Sequence, residues 1–221
     1  VATVGTTGAS VITVAEQHIN TKNNPSKTEI VYRLRDSQGN LGNIFRLSSP
    51  NGLTARHPKV AALGNMVWVV WQEERDGQIP RRSHIFLRQS NDGGQSWQPE
   101  QRLRSVAGRA IHPDLALMPN GMPVVVWQEI SANNPMDVMA QRVGIDMIPV
   151  NLSRAGKTIA AAPSADSRSA KYPASVWPSV AVDSSGNIVV AFQDNRTDPD
   201  PLWTGQTGTG DSTDVDNWQI V

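Results

Sequence analysis

Three stretches of this chain can be laid over one another, and that repeat restricts the fold more than any other feature of the sequence. His57-Pro58-Lys59-Val60-Ala61-Ala62 leads to Val67-Trp68-Val69-Val70-Trp71-Gln72-Glu73. His112-Pro113-Asp114-Leu115-Ala116-Leu117 leads in the same way to Val124-Val125-Val126-Trp127-Gln128-Glu129, and Trp177-Pro178-Ser179-Val180-Ala181-Val182 to Ile188-Val189-Val190-Ala191-Phe192-Gln193-Asp194. The copies start 55 and 65 residues apart. Each holds an apolar strand, a Gly/Asn turn and a second, β-branched strand, a content that suits stacked small sheets and excludes helical solenoids.

The start of the chain joins the pattern, because Val1-Ala2 aligns with Val180-Ala181 and residues 11–17 align with 67–73. Four units result, at about 1–50, 51–105, 106–153 and 174–221, the first cut within its first strand. Within each, the second strand is expected to end in a polar loop, at 20–27, 74–83, 131–135 and 195–201. Third strands follow at 29–34, 84–89 and 137–143, with a poorer one at 202–206. Fourth strands end in similar words, Phe45-Arg46-Leu47-Ser48, Gln101-Arg102-Leu103-Arg104 and Pro149-Val150-Asn151-Leu152-Ser153. The expected fold is all-β: a β-propeller of antiparallel four-stranded blades, with four units visible, as a small closed ring or as part of a larger one. The 17 glycines and 15 prolines fit many short strands joined by tight turns. With 20 Lys+Arg against 20 Asp+Glu there is no global field to attract nucleic acid or an acidic membrane. No apolar run is long enough to cross a bilayer as a helix. The absence of cysteine excludes disulfides and thiolate metal sites. The chain begins at Val1 without methionine or a signal-peptide pattern, which reads as a processed chain or a fragment.

Between the third and fourth strands of the second unit lies Ser90-Asn91-Asp92-Gly93-Gly94-Gln95-Ser96-Trp97. Two adjacent glycines can take the positive φ of a tight turn, Asp92 can accept the turn's free N–H groups, and Trp97 can bury its ring against a neighbouring sheet. The octapeptide, through Ser90, Asp92, Gly94, Ser96 and Trp97, resembles the Asp box of sialidases and other bacterial-neuraminidase-repeat proteins. In that family the box is a structural turn on the side of the propeller away from the active site. Partial copies stand at residues 35–40 and 212–218, while 143–146 keeps little of the motif. The resemblance implies a propeller, six- or seven-bladed in family members. In an active sialidase it also implies an upper face carrying three arginines, a tyrosine–glutamate nucleophile pair and an aspartate acid/base.

Those catalytic groups do not map onto this sequence. Tyr32 falls inside a third strand as a packing residue, and Tyr172 has no glutamate beside it. The family's Phe/Tyr-Arg-Ile-Pro word is missing, since Tyr32-Arg33-Leu34-Arg35 lacks the proline. No catalytic residue is assigned. The candidate binding groups of the upper face are Arg56, His57, Arg75, Arg109, His112, Tyr172, Trp177, Arg196 and Trp203. His57 and His112 open equivalent first strands and could form a metal pair, but they have no third ligand in register, and Trp177 takes their place in the fourth unit. The plainer reading is a cap in which the imidazole bonds a neighbouring blade. Glu73, Glu129 and Asp194 end second strands, as partners for blade-to-blade bonds or for arginines such as Arg75 and Arg196. Asp198, Asp200, Asp211 and Asp216 offer hard oxygen ligands for calcium, without the spacing of an EF-hand, so solvated carboxylates are the competing reading. Residues 154–173 form a long irregular connection between two units, a tolerated insertion or a functional loop. The resulting expectation is a non-catalytic extracellular or periplasmic propeller that binds a protein or glycan partner, or serves as an accessory subunit. A fragment of a sialidase-like glycoside hydrolase is the alternative.

Overall fold

The computed structural model of the chain describes residues 1–5, 10–21, 24–50, 53–75, 82–103, 109–131, 134–153, 175–194 and 219–220. The first sheet runs through β1 (Ala2–Val4), β2 (Ser10–Thr21), β3 (Asn24–Arg35) and β4 (Leu41–Arg46). The second is built from β5 (Thr54–Leu63), β6 (Met66–Glu74), β7 (Ser83–Ser90) and β8 (Gln101–Arg102), and the third from β9 (Arg109–Leu117), β10 (Pro123–Ser131), β11 (Asn134–Arg142) and β12 (Val150–Asn151). The fourth holds β13 (Ser175–Val182), β14 (Ile188–Asp194) and β15 (Gln219–Ile220). Every sheet is an antiparallel meander in chain order, the topology of a propeller blade.

The second strand of each blade explains why the sheets stack. Its side chains alternate between two faces, and in β6 both faces are apolar: Val67, Val69, Val70 and Trp71 are all fully buried. Val67, Val69 and Trp71 join Ile12, Ile30 and Tyr32 in the core between the first and second blades. Trp68 and Val70 turn the other way, to Val125 and Trp127 of the third. Val124 and Val126 meet Val180 and Val190 of the fourth. Each side chain buried in this way contributes about 1.5–3 kcal/mol.

Polar bonds repeat along the same seams. Thr28 Oγ1 donates to the Ala55 carbonyl at 2.7 Å and Ser83 Oγ to the Ala110 carbonyl at 2.8 Å, from blade to following blade. Asp114 accepts from the Ser179 hydroxyl and the Val180 N–H. The recurring Leu-Ser ends of the fourth strands also have a use. Leu47 is buried, and the Ser48 and Ser153 hydroxyls accept the N–H groups of Ile30 and Val138.

Some expected boundaries move. The loops placed at 20–27 and 131–135 are largely strand, since Ile19 pairs with Lys27, Thr21 with Asn24, and Ser131 with Asn134. Pro25 and Pro135 fall in the irregular gaps of these two ladders, where a missing N–H is tolerated. Trp97 does not open the fourth strand, which begins at Gln101. It is half-buried, edge-on to Tyr32 at 5.3 Å between ring centroids, and packs on the core between the first two blades. Tyr32 itself is buried in that core.

The turn between β7 and β8 is closed from within. Asp92 Oδ1 accepts the N–H groups of Gln95 and Ser96 at 3.0 and 2.9 Å, and both serine hydroxyls of the octapeptide donate to its carboxylate. Gly94 has φ +92°, and a Cβ there would stand 3.2 Å from Ile12 Cδ1 and 3.3 Å from Leu34 Cδ2 of the first blade. A side chain there would be strained by the backbone angle and would have to push the ends of Ile12 and Leu34 aside by a few tenths of an ångström. At the weaker copies, Asp36 accepts the Asn40 N–H at 2.8 Å and Asp146 the Arg142 N–H at 2.7 Å.

These bonds, the Ser96 hydroxyl first, hold the Asp92 carboxyl well below the usual carboxylate range. A lowered folded value means a contribution that is complete above the unfolded value of about 3.9 and lost as pH falls further. Asp92→Ala is therefore expected to lower the melting temperature by a constant amount from about pH 5 to 8, with the gap to the wild type closing below about pH 4. Calorimetry across that range checks it.

Candidate functional site

The upper ends of the blades, where first strands begin and second strands end, carry a repeated kink. His57, His112 and Trp177 have φ of 54°, 50° and 54°, the left-handed region, each immediately before a proline that favours extended backbone. At each kink the ladder to the second strand shifts register, between Arg56 and Lys59 in β5, opposite Val126 and Gln128 in β9, and between Val176 and Ser179 in β13. Left-handed backbone at a non-glycine residue costs about 1–2 kcal/mol and persists only where its surroundings over-determine it.

Here the surroundings are the preceding blade. The His57 N–H donates to Glu16 Oε1 at 2.7 Å, and the His112 N–H to Gln72 Oε1 at 2.8 Å. Glu16, Gln72 and Gln128 occupy one position of the repeat, and Gln128 Oε1 lies 3.4 Å from His112 Nδ1. The link to the neighbouring blade thus runs through the backbone N–H of His57 and His112 and not through the imidazoles.

The kinks turn three rings toward one another. The His57 and His112 centroids are 4.6 Å apart, edge to face, and the His112 and Trp177 centroids 4.1 Å apart. The result is a column crossing three blades. His57 and His112 are half-buried, and Trp177 is 58% exposed at the open end. Among the described residues no group of three or more His, Cys, Asp or Glu could hold a metal ion, so the two histidines have no third ligand of that kind there. Burial holds the His112 imidazole below its ordinary value, the Gln128 bond opposes this, and the nearby His57 adds to it.

The second-strand carboxylates are committed elsewhere. Glu73 is 1% exposed and takes the Trp71 indole N–H at 2.7 Å together with two bonds from Arg75. Arg75 also bridges to Glu100 and lies over the Phe86 ring at 3.7 Å. Glu129 is buried and takes the Trp127 indole N–H at 3.1 Å. These bonds stay inside one blade, contrary to the expected blade-to-blade role. Arg75 pairs with Glu73 as expected, whereas Arg56 and Arg109 are exposed and form no ion pair among the described residues.

Tyr172, Arg196, Trp203, Asp198, Asp200, Asp211 and Asp216 lie outside the described residues, as do the connection at 154–173 and the partial octapeptide at 212–218. The side chain of Asp194 lies outside them too. Sequence reasoning missed the acceptors Glu16 and Gln72. Their signal was the Gln that precedes the terminal acid in three copies, at Gln72, Gln128 and Gln193.

No family model and no curated protein sequence matches the chain. Solved structures do resemble it. A protein of unknown function from Dyadobacter fermentans superposes with a TM-score of 0.55 at 10% identity, over 86% of this chain and 60% of that one. An α-L-arabinofuranosidase from Lactobacillus brevis gives 0.47 at 13% identity over 96% and 67%, and an endo-arabinanase from Bacillus licheniformis 0.44 at 15% over 85% and 68%. The chain thus spans less than two thirds of the Dyadobacter protein. The likeness to that protein is one of fold alone, and the other two lie too far away to bear on chemistry. Among the described residues no helix is long and apolar enough to cross a membrane.

Gln72→Ala would leave the His112 N–H without its acceptor, and is expected to cost about 1–3 kcal/mol in denaturant unfolding. His112, with its lowered folded value, stabilises the chain fully above about pH 6.5 and progressively less as pH falls through the folded value. The melting temperature should drop on acidification below about pH 6.5, and His112→Gln should flatten that drop.

Proposed function

We propose that this chain is a non-catalytic propeller module that binds a glycan across the ring column of its upper face. The observation that carries this reading is the sealing of Glu73 and Glu129 by the indoles of Trp71 and Trp127. Most glycoside hydrolases use two carboxyl groups about 5–9.5 Å apart with access to the scissile bond, and the sialidases that use a tyrosine nucleophile still need an accessible carboxylate beside it. Glu73 and Glu129 are buried and already act as acceptors. The face offers instead an exposed Trp177 ring backed by His112, with Arg56 and Arg109 exposed on the same end of the blades. A pyranose packs the flat face formed by its C–H groups on such a ring, while its hydroxyls reach nearby donors.

The octapeptide with Asp92 supports kinship with Asp-box propellers of the sialidase-like group, and the missing arginine word supports binding over hydrolysis. An extracellular or periplasmic location and an accessory role in a larger assembly belong to the same reading. The test is titration of the purified chain on a glycan array, followed by calorimetry on the best ligand. Trp177→Ala should weaken binding at least tenfold without changing the melting temperature, because the ring is exposed. Turnover of a fluorogenic sialoside by the wild type, abolished by Arg56→Ala or Arg109→Ala, would overturn the proposal.

A further inference from the structure

The outer strand of a blade has one edge without a partner, and proteins keep such edges short or interrupt them with proline. β8 and β12 obey this rule: each is two residues long, and Pro99 and Pro149 stand just before them. β4 does not. It runs for six residues without proline, Leu41-Gly42-Asn43-Ile44-Phe45-Arg46, and all six are exposed. Its pairing with β3 sets the direction of its backbone groups. Phe45 lies opposite Tyr32, and the Leu47 N–H donates to the Ile30 carbonyl at 2.8 Å. Backbone groups alternate sides along a strand, so residues 45 and 47 bond inward, and the N–H and carbonyl groups of Ile44 and Arg46 point away from the sheet. Blades stack through their faces, so the presence or absence of a neighbouring blade does not decide whether this edge is open.

The side chains beside the edge give it a chemical character. Phe45 is 51% exposed and stacks on Tyr32 with ring centroids 5.6 Å apart, and Trp97 of the second blade stands edge-on to the same tyrosine. The charges are mostly positive. Arg33 Nε donates to the Gly42 carbonyl at 2.7 Å and Arg35 Nε to the Gly39 carbonyl at 3.3 Å, and neither guanidinium meets a carboxylate among the described residues. Arg46 pairs with the buried Glu29, and the Asp36 carboxylate is taken up by Asn40 in its own turn.

We propose that β4 is a docking strand, to which an extended segment of a partner protein, apolar and acidic at alternate positions, adds as a fifth strand of the first blade. Main-chain bonds at Ile44 and Arg46 hold the segment, as in other cases of strand addition. Residues of the segment on the Phe45 side pack on that ring, and those on the opposite side bring carboxylates to Arg33 and Arg35. The charge decides against a second copy of this edge as the occupant, because pairing β4 with itself sets like guanidinium groups side by side. The ring column belongs to first strands, at the opposite edge of the blades, so this site goes beyond the glycan reading and stands apart from it.

The test selects a display library of linear peptides of about twelve residues on the whole chain and measures synthetic versions of the enriched sequences by fluorescence anisotropy. Enriched peptides should alternate apolar and acidic residues. Ile44→Pro removes an outward N–H and no ladder bond, so it should weaken binding at least tenfold with little change in melting temperature. Ile44→Ala keeps the N–H and should stay within about threefold of the wild type, because main-chain bonds carry most of the affinity. Methylating every second amide of the best peptide should abolish binding in one phase and spare it in the other, which reads the same pairing on the unaltered chain. Peptides that bind wild type and Ile44→Pro equally overturn the proposal, as does enrichment of basic peptides. Self-association of the wild type that Ile44→Pro removes makes the occupant a second copy and overturns it too. Slow hydrogen exchange at the Ile44 and Arg46 amides of the peptide-free chain also overturns it, since the edge is then already covered by another part of the same chain.

Discussion

The structure depends on second strands that are apolar on both faces. A strand such as β6 cannot exist at the surface, because Val67, Val69 and Trp71 require cover on one side and Trp68 and Val70 on the other. The second and third blades are therefore covered on both faces by neighbours, and the core is a series of seams. β4 is exposed along its whole length, and Val11, Ala15, Leu41 and Ile44 line a groove on the first blade together with Arg33 and Arg35.

The two rims of the blades are built by opposite means. On the lower rim the turns satisfy their own N–H groups, through Asp92 between β7 and β8 and through Asp183, which takes the Ser185 and Asn187 N–H groups between β13 and β14. The Asp92 turn adds one outside bond, from the Gly93 N–H to the Asn65 carbonyl at 2.8 Å. On the upper rim the left-handed kinks are held by the blade before, through Glu16 and Gln72, and their side chains are set free of the sheet. Strain there is what places three rings from three blades in one column, in which no ring comes from a neighbour in sequence. A ring column assembled in this way is tied to the seams beneath it.

Much of this architecture was legible in the sequence because it rests on periodicity. The repeated apolar, β-branched runs in residues 67–73 and 124–129 located the central strands, and Asp92 with its two glycines located a turn whose main bonds are local. What was not legible depends on contacts distant in sequence. Nothing in His57-Pro58 announces positive φ, since a residue before proline is ordinarily extended, and only the carboxylate of Glu16 in another blade reverses that preference. The strand character of residues 24–28 was hidden for a similar reason. Pro25 ends most strands, but a ladder irregularity accommodates it here. Trp97 is less buried than the resemblance suggested, because its ring lies edge-on at the rim of a seam.

The carboxylates at the ends of the second strands are best understood by comparing the copies. Where the ring two residues earlier is an indole, as in Trp71 and Trp127, a glutamate follows and accepts its N–H. In the first blade that ring is replaced by Ala15, and Gln17 stands where the glutamate would be. In the fourth blade the ring is Phe192, which has no N–H to donate, and the acid is the shorter Asp194. Glutamate and indole therefore occur together in the second and third blades. A catalytic acid would be tied to the position of a substrate, at one place on the rim, and would be indifferent to the ring beside it. Glu73 and Glu129, each two residues after an indole, are acceptors for a buried donor, which the low dielectric of the seam makes costly to leave unmet. Chemistry at this rim must then come from the groups turned outward, which among the described residues include Trp177, Arg56, Arg109 and the Glu16 carboxylate.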